Sequence, residues 1–558
     1  MLALLAGGAC PVAAQQPAKP PAAQPAKAPA QPAARADTAP WSVSGVPLPG
    51  SEAEERLRLG HLRGTESAPA VRALGTTWLR RSPSQLLRAL EPAGAAGRRW
   101  HLQLLAPEIR SVRNSALPHS LGDGTLWAGR GASALITAGL TLRAGPVRLT
   151  LAPQLTTAAN AAFQVIPYPQ GITPARSVWA NPFLRAPHSI DLPYRFGDAP
   201  LERGAPGASV LAVDLPGVTL SAGTEPLVWG PGVRNQLLLG GNAEGFPHVA
   251  LTSRRALRTP VGSLHAQWLL GRLQESPYFD ANPANNFRAL GGALIQLTPR
   301  ADSALTLGIA RLVMAPQSGS APAVGTALRV FTPAGRADRA ATRREQVTAL
   351  FARWLLPVDG AEAYAEWARF AEPVSLRDFL EYPGHSQGYT VGVLWARPLR
   401  GGALQLNAEA TQLEQDASAR LRDAGISYTG RVVPQGFTHR GKVLGAAIGP
   451  GASTQGASVD WFGRLLRVGV YGARIRWNND VLWTPVVPQV KQEDISLLGG
   501  VRASVTTGRS RLLLDYTRGA RLSYLYQSKL VDWRTGRHTG VDFLNHTFSV
   551  TLSTAVGR

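Results

Sequence analysis

From about residue 98 to the end, the chain repeats one pattern: apolar and polar residues alternate with period two. Val147, Leu149 and Leu151 alternate with Arg148 and Thr150. Leu264, Ala266, Trp268 and Leu270 alternate with His265 and Gln267, and Leu305, Leu307 and Ile309 with Thr306 and Gly308. Leu404, Leu406, Ala408 and Ala410 alternate with Gln405, Asn407 and Glu409, and Phe548, Val550 and Leu552 with Ser549 and Thr551. Successive side chains of a strand point to opposite faces, so each run has one apolar and one polar face. Gly, Pro, Asn or Asp closes each run.

A soluble sandwich alternates too, but three features favour a membrane barrel. The runs are roughly 9–13 residues long, near what a tilted transmembrane strand needs. Tryptophans stand near many strand ends (Trp100, Trp127, Trp354, Trp395, Trp477, Trp483 and Trp533), which suits interfacial girdles. Charged residues are only 17% of the chain, so part of its surface need not face water. After the extreme N-terminus no apolar run reaches the ~18 residues of a spanning helix. A closed barrel is the other spanning solution that pairs every backbone group. At about 25 residues per strand and connection, the roughly 460 residues of this region make on the order of 18 strands. The expected fold is all-β: a large transmembrane antiparallel β-barrel with a small N-terminal helical bundle.

The segments before the barrel read differently. Residues 1–14, MLALLAGGACPVAA, look like a secretory signal cleaved after Ala14, with lipidation of Cys10 as the alternative. Residues 15–47 are Pro/Ala-rich and read as an extended linker. Residues 48–97 read as a helical periplasmic segment. Ser51 and Glu54 have capping-box spacing before Leu57, Leu59 and Leu62. Two further amphipathic pieces carry Val71, Leu74 and Trp78, then Leu86, Leu87 and Leu90. Residues 98–558 are the expected outer-membrane barrel.

The net charge of +22 comes almost wholly from arginine, either from an acidic partner or from a coding bias that writes Arg for Lys. The basic residues are spread out and form no nucleic-acid tail. A single cysteine excludes an intrachain disulfide. Catalytic patterns are absent: there is no His-Glu-x-x-His, no Gly-x-Ser-x-Gly and no Cys pair. Gly436–Lys442 has P-loop spacing, but Val443 stands where the Mg²⁺-binding hydroxyl belongs. No enzyme, cofactor or metal is expected.

The candidate ligand-binding residues are Trp229, Arg234, Asn235, Asn242, Glu366, Arg369 and Arg440. Trp229-Gly230-Pro231-Gly232 is a rigid bend. Trp229 is either a sugar-stacking platform or a plug or girdle residue. Asn235 and Asn242 either bind ligand or shape turns. Glu362, Tyr364 and Glu366 share one strand face. The two glutamates lie ~13 Å apart on one strand, beyond the ~5–9.5 Å of a glycosidase pair. Arg369, Arg397 and Arg440 are positioned to give the lumen or loops a positive potential, or to pair with those glutamates.

The segment WGPGVRNQLLLGGNAEGFPHVALTS, residues 229–253, resembles the corresponding stretch of the Wzi-type capsule assembly proteins. LGHLRG with TTWLRRSPSQL resembles their helical N-terminal portion. YAEWARFAE with YPGHSQGYTVGVLW, and THRGKVLGAAIGPGASTQGASVDW, resemble later barrel regions in the same order. The Pro/Ala linker and the closing TLSTAVGR depart from the family pattern. The resemblance implies an 18-stranded outer-membrane barrel with a periplasmic helical bundle. It also implies a lectin-like role: binding and organising capsular or other surface polysaccharide at the cell surface without catalysis. The expected partners are that polysaccharide, outer-membrane lipid and lipopolysaccharide, with a monomeric barrel and no nucleic acid. The rival readings are a porin-like pore and, behind it, a barrel enzyme acting on lipid or glycan.

Overall fold

The computed structural model describes residues 49–65 and 100–554, apart from 170, 172–175, 186, 318–323, 333–343, 372, 374, 421–424, 484–491, 533 and 535–536. The signal, nearly all of the linker and the second and third helical pieces lie outside the described residues, as does Trp533.

One sheet of 21 antiparallel segments closes on itself. Trp100–Asn114 pairs with Gly131–Ala144 on one side and with Phe543–Thr554 on the other. Three strands are each broken in two: Val147–Leu151 with Gln154–Ala158, Leu201–Ala205 with Val210–Asp214, and His248–Ser253 with Leu257–Thr259. Counted as continuous strands, the barrel has 18. Strands adjacent in sequence are adjacent in the wall, so each connection is a hairpin.

The alternation is inside-out relative to a soluble protein. On Ala361–Arg369, Glu362, Tyr364 and Glu366 point inward and are buried, while Ala363 and Ala365 point outward. The neighbouring strand turns Val391, Val393 and Trp395 to the outside, where all three are exposed. Leu307, Ile309, Val468, Val470, Val550 and Leu552 continue this apolar exterior. Such a surface is stable only against lipid.

One end of the barrel has tight turns, such as Arg400–Gly401 and Gly508–Arg509. The other carries the long connections 115–130, 159–200, 224–247 and 413–452. In outer-membrane barrels the short turns face the periplasm and the long loops the exterior. Trp100, Trp354 and Trp395 face outward at the tight-turn end, as a girdle requires. Trp477 instead turns inward, donating to Ser496 Oγ at 2.8 Å. Trp127 and Trp483 lie in connections and not on strands.

Much of the lumen is filled by the chain itself. The connections 224–247 and 413–452 fold inward and bury Trp229, Leu237, Leu239, Tyr428, Phe437 and Val443 against wall residues such as Leu269, Leu290 and Leu312. The helix Glu52–Leu62 enters near the tight-turn end. Ser51 Oγ accepts from Glu54 N at 3.3 Å, and Glu54 Oε2 reaches back to Gly50 N at 2.6 Å, one residue before the cap. Leu59 and Leu62 pack on Tyr364, Leu394, Ala396 and Phe462. Ion pairs hold the helix to the wall. Arg58 shares Glu362 with Arg353, and Glu55 meets Arg467 and Arg502.

Candidate functional site

The Glu225–Leu251 stretch connects two wall strands, but it does not run along the rim. It dips into the lumen, and two wall carboxylates fix its tip. Glu366 accepts from Gly232 N at 2.6 Å and Leu237 N at 2.9 Å. Glu409 accepts from Val233 N at 2.6 Å and Asn235 N at 3.0 Å, and also contacts Arg234 N. Gly230 has φ 110, and a Cβ there would lie 2.4 Å from Glu366 Oε1, so the bend needs glycine on both counts.

The expected ligand residues therefore separate. Trp229 is 1% exposed; its Nε1 donates to Gln267 Oε1 at 2.7 Å and its ring lies against Gly292. It sits as a plug residue with no free face for a sugar. Asn235 is buried, and its carbonyl accepts from Thr390 Oγ1 at 2.9 Å. Asn242 is buried between Val443 O, at 3.0 Å, and Gly122 N. Both side chains are turned to distant parts of the chain: Asn235 Nδ2 lies 3.5 Å from Glu409 Oε1, and Asn242 ties the hairpin to Val443 and Gly122. Arg369 donates to the carbonyls of Ala371, Tyr382 and Pro383, bracing a loop. Arg397 is on the outer wall, stacked 5.4 Å from the Trp395 ring, and contributes nothing to the lumen. Glu362 pairs with Arg58 and Arg353, not with the three arginines expected from sequence. Arg234 is exposed, with its guanidinium 5.7 Å from the Tyr471 ring.

Arg440 stands elsewhere, at the long-loop end, in a group that sequence spacing does not reveal. It has φ 49 and is fixed by its amide, which donates to Gln274 O at 2.8 Å, and by Nη2, which donates to Gln274 Oε1 at 3.0 Å. Its Nε lies 3.1 Å from Glu244 Oε1, and Arg203 forks onto the same carboxylate. Burial, with Arg203 and Arg272 close by, lowers the Arg440 guanidinium from its ordinary value, while Glu244 opposes the shift. Two arginines, Arg203 and Arg440, thus share one glutamate, while Arg272 acts on Arg440 from a distance and packs on the Phe287 ring. Arg203 and Arg440 keep 34% and 36% of their side chains exposed, against 9% for Glu244. Burial and the surrounding arginines hold His439, next in the chain, well below its ordinary pKa, and its Nδ1 accepts from Gln274 N at 3.1 Å. Gly436–Lys442 forms part of the lumen plug, and Lys442 Nζ donates to the carbonyls of Gly124 and Leu126.

Beside these cations lie three half-buried rings. Trp127 and Phe196 have centroids 4.6 Å apart, and Phe196 and Tyr278 5.6 Å. A Cβ on Gly441 would meet Phe196 at 3.0 Å, which joins the ring set to the arginine set. Aromatic faces beside guanidiniums are the chemistry for stacking on sugar rings and pairing with carboxylates. Among the described residues, no group of three His, Cys, Asp or Glu side chains is arranged to hold a metal ion.

Under these loops, Asp191 is fully buried and accepts from Ser276 N at 2.7 Å and Ser276 Oγ at 2.5 Å. Burial pushes its carboxyl up to about 6, against the lowering effect of those bonds, and pushes nearby Glu275 up to about 8. Both folded values exceed the unfolded ones, so the stabilisation is full below the unfolded values and is lost as pH rises through the folded ones. Hydrogen exchange at 188–196 and 275–279, corrected for intrinsic rate, should be slower at pH 5 than at pH 8. The difference should be on the order of 1–3 kcal/mol and should shrink in Asp191→Asn.

A profile of the family "Capsule assembly protein Wzi" matches residues 207–519, more than half of the chain. The chain belongs to the Wzi capsule assembly family. The match takes in the Trp229 hairpin and the 413–452 plug. Among solved structures, the chain resembles Wzi from Escherichia coli, described as an outer-membrane protein involved in group 1 capsule assembly and a carbohydrate-binding β-barrel. The TM-score is 0.57 and the identity 12%, over 91% of this chain and 99% of that one. OccK2 of Pseudomonas aeruginosa, solved with glucuronate, gives TM-score 0.37 and 11% identity over 82% and 98% of the two chains. A BenF-like porin of Pseudomonas fluorescens gives 0.38 and 8% over 82% and 99%. Both are too distant to carry an argument. No curated protein sequence matches. With its family and its lipid-facing exterior, the chain is an outer-membrane β-barrel of capsule assembly.

Proposed function

We propose that this barrel binds acidic surface polysaccharide at its long-loop end and holds it to the cell without breaking or making bonds. The observation that carries this reading is the joined set of Trp127, Phe196 and Tyr278 with Arg203 and Arg440. Its rings are half-buried, and its cations outnumber the one shared carboxylate. The E. coli relative's description as carbohydrate-binding supports the same ligand class. The packing of the lumen below the cluster weighs against the porin reading. Arg234 stands at the hairpin tip, beside Tyr471 and close to Glu55 of the helix, away from this cluster, and is no part of the contact proposed; Trp229, Asn235 and Asn242 act by holding the plug. The barrel works as a monomer, and its outer wall meets lipopolysaccharide.

The test is retention of capsule. Cells carrying Arg203→Gln with Arg440→Gln should release surface polysaccharide into the medium. The purified variant should bind an acidic polysaccharide at least tenfold more weakly, since each charge-assisted contact is worth about 1.5–3 kcal/mol. Trp127→Ala should weaken acidic and neutral glycans alike. Unchanged affinity in the double arginine variant would remove this cluster as the site.

A further inference from the structure

The glycan cluster uses few of the arginines that give the chain its charge of +22. Many of the others stand at the tight-turn rim, at the opposite end of the barrel. Arg255, Arg258, Arg300, Arg400, Arg464 and Arg509 lie there in turns or at strand ends, and all six are exposed. Among the described residues none of the six pairs with a carboxylate. The acids of this rim are few. Asp359 is exposed, while Asp214 and Asp302 are half-buried and hold their own turns through Thr219 Oγ1 and Ala304 N. The long-loop rim differs: there exposed Arg113, Arg377 and Arg518 are balanced by Asp198, Glu202, Glu381 and Asp416.

A second feature says what the basic rim meets. Its turns also expose large aliphatic side chains: Val358 at 94%, Leu257 at 66% and Val261 at 65%, with Leu215 and Leu465. Water alone gives no reason for a valine at a turn tip beside an arginine. A headgroup layer does, because it is apolar on one side and charged on the other. The girdle lies immediately above: Trp354, Trp395 and Trp461 face outward at this end, and Arg397 stacks on Trp395. The rim continues the lipid-facing wall and does not project beyond it.

The geometry points to a lipid-binding collar: the tight-turn rim sits in the phospholipid leaflet and selects anionic headgroups through its arginines, with the turn aliphatics beside the glycerol backbones. Phosphate and guanidinium are matched in charge and hydrogen-bond geometry.

The test uses the full-length barrel in bilayers, with quenching of its tryptophan fluorescence by brominated phosphatidylglycerol or brominated phosphatidylcholine. The wild type should prefer the anionic lipid roughly fivefold at low salt, as a polybasic surface does. The preference should approach unity in 0.5 M NaCl, where screening is strong. Replacing Arg255, Arg258, Arg400, Arg464 and Arg509 by Gln should abolish it. Replacing them by Lys should keep most of it. Heat-dependent gel mobility confirms that the barrels are folded. If the glutamine variant does not fold, the salt series and the lysine variant still decide. Equal affinity of the wild type for the two lipids, or a preference that survives 0.5 M salt or the glutamine changes, would overturn the proposal. So would binding of a soluble acidic glycan by these arginines without lipid preference.

Discussion

Glu362→Ala should undock the N-terminal helix from the barrel while leaving the wall closed. The carboxylate is 2% exposed and is shared between Arg58 of the helix and Arg353 of the wall. Removing it leaves two guanidiniums facing each other in a dry site. Breaking a buried pair in this way costs about 3–5 kcal/mol. Neighbouring His61 cannot compensate, because burial and the same two arginines push its ring down to about 3 and keep it neutral. The apolar contacts of Leu59 and Leu62 and the Glu55 pairs remain, so the helix should open more often without the barrel unfolding. Trypsin reads this directly: Arg56 and Arg58 are buried when the helix is docked. The variant should be cut there at least tenfold faster while its barrel still migrates as folded. By contrast, Arg377→Ala removes an exposed pair with Glu381 and should cost only about 0.5 kcal/mol. Protection of the helix equal to wild type in Glu362→Ala would show that its apolar side alone docks it.

The barrel was legible because both halves of the alternation report an environment. Leu307 and Ile309 need lipid, and Gln405 and Glu409 need a polar lumen, so parity alone sets the wall. The strand breaks near Ala152 and Arg254 were not legible, because the flanking runs keep their parity across them; near Gly207 the exposed row instead switches from Glu202 and Gly204 to Leu211, over a stretch too short and too rich in Gly, Ala and Pro for alternation to show it. Arg397 shows how parity is overlooked when charge draws attention: it follows Val391, Val393 and Trp395 on the outward row. Trp229 was ambiguous for a physical reason. A tryptophan in a Gly-Pro bend suits a sugar platform or a buried wedge equally well. The choice depends on Gln267 and Gly292, which come from other strands. The same holds for the proposed glycan cluster. Trp127, Phe196, Arg203, Tyr278 and Arg440 come from five places in the chain, and only the closed barrel brings them together.

The largest loss of stability is expected from Glu366→Ala combined with Glu409→Ala. Together these carboxylates accept from five backbone amides, those of Gly232, Val233, Arg234, Asn235 and Leu237. Successive amides turned toward one anion form a nest, and the favourable term is the concentration of N–H dipoles on a negative charge. Glu409 is further held by Tyr364 Oη, which donates to Oε2 at 2.8 Å. An orphaned buried amide costs about 1–3 kcal/mol, so the double variant should lose on the order of 5 kcal/mol or more. The charge matters as much as the bonds, so Glu409→Gln should also be costly although it preserves volume: its amide presents N–H groups to a site built from donors. The hairpin tip should then leave the lumen. Exchange of the 232–237 amides should rise from the slowest class to that of exposed loops, and tryptophan emission should shift red as Trp229 is uncovered. Glu244 lies on the same connection, so Arg203 and Arg440 lose their common partner and the glycan cluster loses its floor. Polysaccharide affinity should therefore fall in a variant whose changes lie wholly inside the barrel. If the 232–237 amides stay as protected in the double variant as in wild type, the apolar contacts of Trp229, Leu237 and Leu239 hold the hairpin and the nest does not.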